Sequence, residues 1–87
     1  MARYWYQTCP ACSRGRLFVE KRTHSPSELF LECEDCFTSW DSPERLDQGG
    51  YSGIEIVSDY ANSEDIRRAG WSKYPFQVAL DAKWPRT

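Results

Sequence analysis

A chain of 87 residues, 40% hydrophobic and 15% aromatic, carries too much apolar surface to stay disordered and too few residues to bury a large core. A domain of this size buries only about 60% of the surface of its unfolded chain, so it usually needs disulfides or a metal as a staple. The formal net charge of −2 is unevenly spread: +4 over residues 1–22, −10 over 23–65 and +4 over 66–87. An acidic middle repels nucleic acid and favours a basic partner, unless it serves only to keep the surface soluble.

The first residues, Met1 to Tyr6, contain no apolar signal-peptide core, and no run approaches the roughly 20 apolar residues that span a bilayer. The expected location is the cytoplasm. Thiols stay reduced there, so paired cysteines point to metal or catalysis before disulfides. Tyr4 and Tyr6 alternate as in a strand, which is expected at a sheet edge.

Two C-x-x-C pairs follow, Cys9-Pro10-Ala11-Cys12 and Cys33-Glu34-Asp35-Cys36, separated by twenty residues. Zinc takes four ligands at tetrahedral corners, and two such turns brought together by a hairpin supply them. The intervening chain reads as that hairpin. Residues 16–22 and 28–33 have strand-like alternation, and Thr23-His24-Ser25-Pro26-Ser27 is the predicted turn. Gly15 falls where the chain bends from knuckle to strand, and residues 37–41 suit a third strand. With cysteine in every ligand position, the shell is closed and the expected cofactor is one structural Zn²⁺. An iron site uses the same ligands, but redox rubredoxins usually place Gly after each pair, where Ser13 and Phe37 stand here. A dithiol oxidoreductase needs only one pair at the start of a helix, and two disulfides need an oxidising compartment. His24, the one histidine, lies in the turn and reads as a solvated residue.

Ser42-Pro43-Glu44 is a helix-start signal, with a short turn expected through Leu46. Residues 48–53, rich in glycine, read as a flexible connector. Ile54-Glu55-Ile56-Val57 suits a strand or the start of a helix to Tyr60, with propensity leaning to strand. Asn62 as N-cap, Asp65 at N3, basic Arg67 and Arg68 in the last turn and Gly70 at C′ predict a helix over 63–69. Phe76 to Leu80 forms a last apolar element of unassigned type.

The expected fold is thus a small metal-stabilised α+β domain. It comprises a zinc ribbon of antiparallel β-hairpins over 1–47, and an extension over 48–87 packed on it with one or two short helices. Residues 1–87 form a single domain, since neither part alone would bury a core.

No nucleophile–base–orienter set, Gly-rich phosphate loop or H-E-x-x-H motif is visible, so the expectation is a non-enzymatic module with no small-molecule substrate. Two kinds of partner fit. Arg3, Tyr4, Trp5, Tyr6, Arg14 and Arg16 offer bases and aromatics for nucleic acid, as in accessory proteins of transcription or translation. The segment from Glu32 to Tyr60 offers acids around aromatic anchors, which suits a basic protein. Expected contacts are Glu32, Glu34, Asp35, Asp41, Glu44, Asp47, Tyr51 and Asp59.

Cys9-Pro10-Ala11-Cys12, Leu29-Phe30-Leu31-Glu32-Cys33-Glu34-Asp35-Cys36 and Trp40-Asp41-Ser42-Pro43-Glu44 together resemble small bacterial zinc-ribbon proteins. With Glu64-Asp65-Ile66-Arg67-Arg68-Ala69-Gly70-Trp71, the chain is similar to immunity proteins of polymorphic toxin and contact-dependent growth-inhibition systems. The cysteine pairs are the specific part of this resemblance. It implies a protein that binds a toxin domain, often a basic nuclease, and blocks its active site.

Overall fold

Alternation along two adjacent strands separates the molecule into two faces. The structure, a computed structural model, describes residues 3–79. In β2 (Arg16–Arg22) and β3 (Ser25–Cys33), Leu17 stands opposite Cys33, Val19 opposite Leu31 and Lys21 opposite Leu29. Phe18 opposite Glu32 and Glu20 opposite Phe30 occupy the other face. Pro26 does not interrupt the hairpin. β3 begins at Ser25, two residues earlier than the predicted turn ends, and Pro26 falls in an irregular stretch between the Lys21–Leu29 and Arg22–Ser25 pairs. A proline lacks the N–H that a regular ladder would need, and a bulge does not ask for it. The turn is thereby reduced to Thr23 and His24.

Around this pair the described residues build one antiparallel sheet in the order β5 (Tyr51–Ser52), β4 (Thr38–Trp40), β3, β2, β1 (Arg3–Thr8) and β7 (Gln77–Ala79), with β6 (Ser58–Tyr60) also pairing with β2. β1 (Arg3–Thr8) is not an edge, as its alternation alone had implied, because β7 (Gln77–Ala79) covers it. The last apolar element is therefore a strand, with Leu80 outside the described residues. β4 (Thr38–Trp40) follows the second cysteine pair and joins β3. The glycine-rich connector contains β5 (Tyr51–Ser52), which pairs with β4, and Trp40 Nε1 donates to Gln48 O at 2.9 Å. That stretch is held to the sheet, not a free tether.

Residues 54–57 are neither strand nor helix. β5 lies beyond β4 and β6 (Ser58–Tyr60) lies beside β2, so the chain between them must cross β3. No strand edge is open to pair with it there, and strand propensity yields to the crossing. From β6 the chain runs through Ala61, whose N–H donates to Val19 O at 3.0 Å, into the helix.

One short helix is present among the described residues, α1 (Ser63–Arg68), besides a single 3₁₀ turn at Pro43–Arg45. Its signals act as read. Asn62 Oδ1 accepts from the Asp65 N–H at 2.8 Å, and Asp65 Oδ2 accepts from the Asn62 N–H at 3.0 Å. At the far end, Gly70 adopts φ +76°, and the Gly70 and Trp71 N–H groups donate to Arg67 O and Ile66 O, which is a Schellman closure. Lys21 Nζ to Asp65 Oδ2, 3.0 Å, ties α1 to β2.

The main core lies on the face of Leu17, Val19, Leu31 and Cys33, all fully buried, closed by Trp40, Ala61 and Ile66. Each large apolar side chain so buried contributes roughly 1.5–3 kcal/mol. The opposite face holds Phe18 packed with Trp5, Tyr60 and Ala79. Guanidinium groups roof this face: Arg16 lies 4.9 Å from the Phe18 ring centre and Arg22 5.0 Å from that of Phe30.

Candidate metal centre

The two cysteine pairs fold as near copies of each other. Cys9 follows directly on β1, and Cys33 is the last residue of β3. In each pair the chain turns back at once: the Ser13 N–H donates to Cys9 O at 2.9 Å, and the Phe37 N–H to Cys33 O at 3.2 Å. Ser13 at φ 62° and Phe37 at φ 60° are the only non-glycine residues with positive φ among those described. Both turns demand the left-handed conformation in which glycine is easiest, and the chain adopts it without glycine. Backbone N–H groups then aim at sulfur. Ala11 donates to Cys9 Sγ at 3.3 Å, and Asp35 and Cys36 donate to Cys33 Sγ at 3.3 and 3.4 Å.

The β2–β3 hairpin brings the two turns face to face. All four Sγ atoms lie within 4.8 Å of one another, with Cys9 to Cys36 at 3.8 Å and Cys12 to Cys33 at 3.6 Å. A tetrahedron with metal–sulfur bonds near 2.3 Å has sulfur–sulfur edges of about 3.8 Å, so these thiolates suit one ion. They are too far apart for the disulfide distance of about 2.05 Å. The four cysteines can therefore hold one metal ion, and a tetrathiolate set suits zinc or iron.

The environment grades the thiols. Cys9 and Cys33 are buried, Cys12 half-buried and Cys36 exposed. Burial pushes the Cys9 thiol up and takes Cys33 to about 12. The backbone N–H groups of Arg14 and Gly15 hold Cys12 down at about 7. A cation among the sulfurs would replace these protons.

Two supports of the cluster were not readable as such. Thr38 Oγ1 lies 3.2 Å from Cys36 Sγ, placed to donate to the exposed thiolate. Gly15 is buried against the site: an added Cβ would stand 2.6 Å from Cys33 Sγ and 2.9 Å from Asp35 Cβ. Its φ is not positive, so close approach, more than bending, calls for glycine here.

The acids expected to meet a partner have diverse surroundings. Glu32 is only 4% exposed, on the sheet face under Gly53. Glu34 receives Arg16 through Nε at 2.8 Å and Nη2 at 3.2 Å, and Asp35 receives Arg14 Nε at 2.9 Å. Asp41 accepts from the Tyr51 hydroxyl at 2.8 Å, and burial together with that carboxylate raises Tyr51 to about 12. Glu44 is 3.9 Å from Lys73 Nζ. Asp47 and Asp59 are exposed and make no ion pair among the described residues. His24 is an exposed turn residue.

No protein-family model matches the chain, and comparison with curated proteins and with solved structures finds no match either.

Proposed function

We propose that this chain is a zinc-stapled, non-enzymatic module that binds another protein, and that its partner is a basic toxin domain which it neutralises as an immunity protein in the cytoplasm. The observation that carries the first part is the closed shell of four sulfurs within 4.8 Å of one another. Once an ion is bound, every tetrahedral position is filled by cysteine, and none remains for water or substrate. Such an ion holds structure, and the rigid sheet around it loses little ordering entropy on association.

The partner follows from the surface chemistry and from the resemblance of the cysteine pairs and the 64–71 stretch to immunity proteins. The segment over 23–65 carries −10, which speeds encounter with a cationic protein. The nucleic-acid reading is weaker, because Arg14 and Arg16 of its expected footprint are engaged by Asp35 and Glu34. Affinity capture from the native host with the zinc-loaded chain tests the proposal. It should retain a basic protein in near-stoichiometric, salt-sensitive amount, and growth arrested by that protein's expressed toxic domain should be restored by this chain. A salt-sensitive shift of DNA or RNA with no protein retained would reject it.

A further inference from the structure

The four sulfurs are not equally open to solvent. Cys9 and Cys33 are buried, Cys12 is half-buried and Cys36 is exposed, so an oxidant in solution meets Cys36 first. The hydrogen-bond donors follow the same division. Backbone N–H groups fixed by the turns point at Cys9 and Cys33, whereas Cys36 Sγ lies 3.2 Å from the Thr38 hydroxyl, which can turn aside.

The sulfur contacts run across the hairpin. Cys9 lies 3.8 Å from Cys36 and Cys12 lies 3.6 Å from Cys33, so each contact joins a more accessible thiol of one turn to a buried thiol of the other. Cys33, the sequence partner of Cys36, is poorly placed to move. Two backbone N–H groups hold its sulfur, and Gly15 presses so close that an added Cβ would stand 2.6 Å away.

We propose that the metal centre is a redox-convertible staple: a hydroperoxide oxidises Cys36, Cys9 resolves it, and the Cys9–Cys36 disulfide takes over from the ion in holding the two turns together. The inference rests on the metal-binding reading above and is independent of the partner.

The steps balance with hydrogen peroxide as the oxidant. The Cys36 thiolate attacks a peroxide oxygen; an S–O bond forms, the O–O bond breaks, and hydroxide leaves. The Cys9 thiolate then attacks the Cys36 sulfur; an S–S bond forms, the S–O bond breaks, and a second hydroxide leaves. The two sulfurs lose two electrons to the peroxide, and two protons from solvent turn the hydroxides into water. Cys12 and Cys33 are then too few to complete a tetrahedral shell, and the ion is released. The fold keeps its staple, because the new bond ties the same two turns. Cys9 and Cys36 are 27 residues apart, so the bond closes the hairpin and removes freedom from the unfolded chain. The Ser13 and Phe37 N–H bonds to Cys9 O and Cys33 O close each turn without any sulfur.

The test treats the zinc-loaded full chain with hydrogen peroxide in the absence of reductant. Zinc release is followed with a chromophoric indicator, the sheet by circular dichroism, and the cross-link by mass spectrometry of unreduced peptides. The expected result is one zinc released per chain, a Cys9–Cys36 cross-link, a retained sheet signal, and zinc rebinding after dithiothreitol. Brief peroxide exposure with dimedone should label Cys36 before any other cysteine. Cys36→His keeps a zinc ligand but removes the exposed thiol, and should slow zinc release by about tenfold or more. If that variant binds no zinc, the dimedone label on the unaltered chain decides. A cross-link within one turn, a first label on another cysteine, loss of the sheet signal on oxidation, or unslowed release from Cys36→His would each overturn the proposal and leave the metal-binding reading standing. A chain that holds no zinc before peroxide is added overturns both.

Discussion

Gly15 and Cys33 are packed so closely that no side chain fits between them: a Cβ on Gly15 would lie 2.6 Å from the Cys33 sulfur. The two residues belong to different arms of the hairpin, and their contact fixes how near the first cysteine turn approaches the second.

Gly15→Ala should therefore displace a ligand, since the neighbouring atoms are a sulfur and the Asp35 Cβ and N, not the end of a flexible side chain. The expected loss of metal affinity is about 10–100-fold, as for other residues that hold ligands in place. Competition against a chromophoric chelator measures it. Gly49→Ala, with open space around its Cβ, should leave affinity unchanged.

The left-handed residues after each cysteine pair give a second contrast. Ser13 is exposed, so Ser13→Gly removes the cost of a Cβ at φ 62° and little else. That conformation costs a non-glycine residue roughly 1–2 kcal/mol, partly offset by the greater freedom of glycine in the unfolded chain. A net gain of about 0.5–1 kcal/mol should appear as a rise in Tm of about 2–8 °C. Phe37→Gly relieves the same strain but loses a half-buried ring, and should not raise Tm.

These features show which parts of the structure are legible in sequence. The cysteine spacing, the Asn62–Asp65 capping box and the Gly70 closure are local patterns whose geometry is set within a few residues, and each could be read directly. The position of Ile54 to Val57 could not. Its residues have strand propensity, but whether a strand forms depends on an open edge, and the edge of β2 is taken by Ser58–Tyr60. Glu32 shows the same limit. Alternation puts it on the face opposite Leu31, which in a bare hairpin would be solvent, whereas here the distant Gly53 segment packs against its carboxylate. Gly15 was visible as special, but its reason lay across the hairpin at Cys33.

Lys21 and Asp65 join sheet to helix through side chains that are 26% and 9% exposed. Burial alone would raise the Asp65 carboxyl, but the Asn62 N–H and the Lys21 ammonium outweigh it and leave its pKa lowered. A carboxyl depressed in the folded state stabilises above its unfolded pKa, about 3.9, and that contribution disappears as pH falls through the lower folded value. Asp65→Asn should cost about 1–2 kcal/mol at pH 7, through the cap and the part-buried cation. The difference between wild type and variant should shrink between about pH 5 and pH 3. Urea unfolding of both zinc-loaded proteins, at pH values within that range where the metal stays bound, checks it.

Metal uptake should release protons. Cys9 and Cys33 are raised by burial, Cys33 to about 12, so both are thiols at neutral pH and must ionise to bind. Calorimetry of zinc binding at pH 7 in buffers of different ionisation enthalpy should show at least about two protons released per ion. Affinity should fall as pH is lowered. Heats independent of the buffer would mean that these thiols are not the ligands.

The central claim is that four cysteines from two turns hold one metal ion on which the fold depends. Elemental analysis of protein purified without added metal, followed by circular dichroism during chelation, tests it most directly. One equivalent of zinc per chain, with loss of the sheet signal as a strong chelator removes it, is the expected result. Protein that contains no stoichiometric metal, or that keeps its spectrum and melting temperature after chelation, would contradict it.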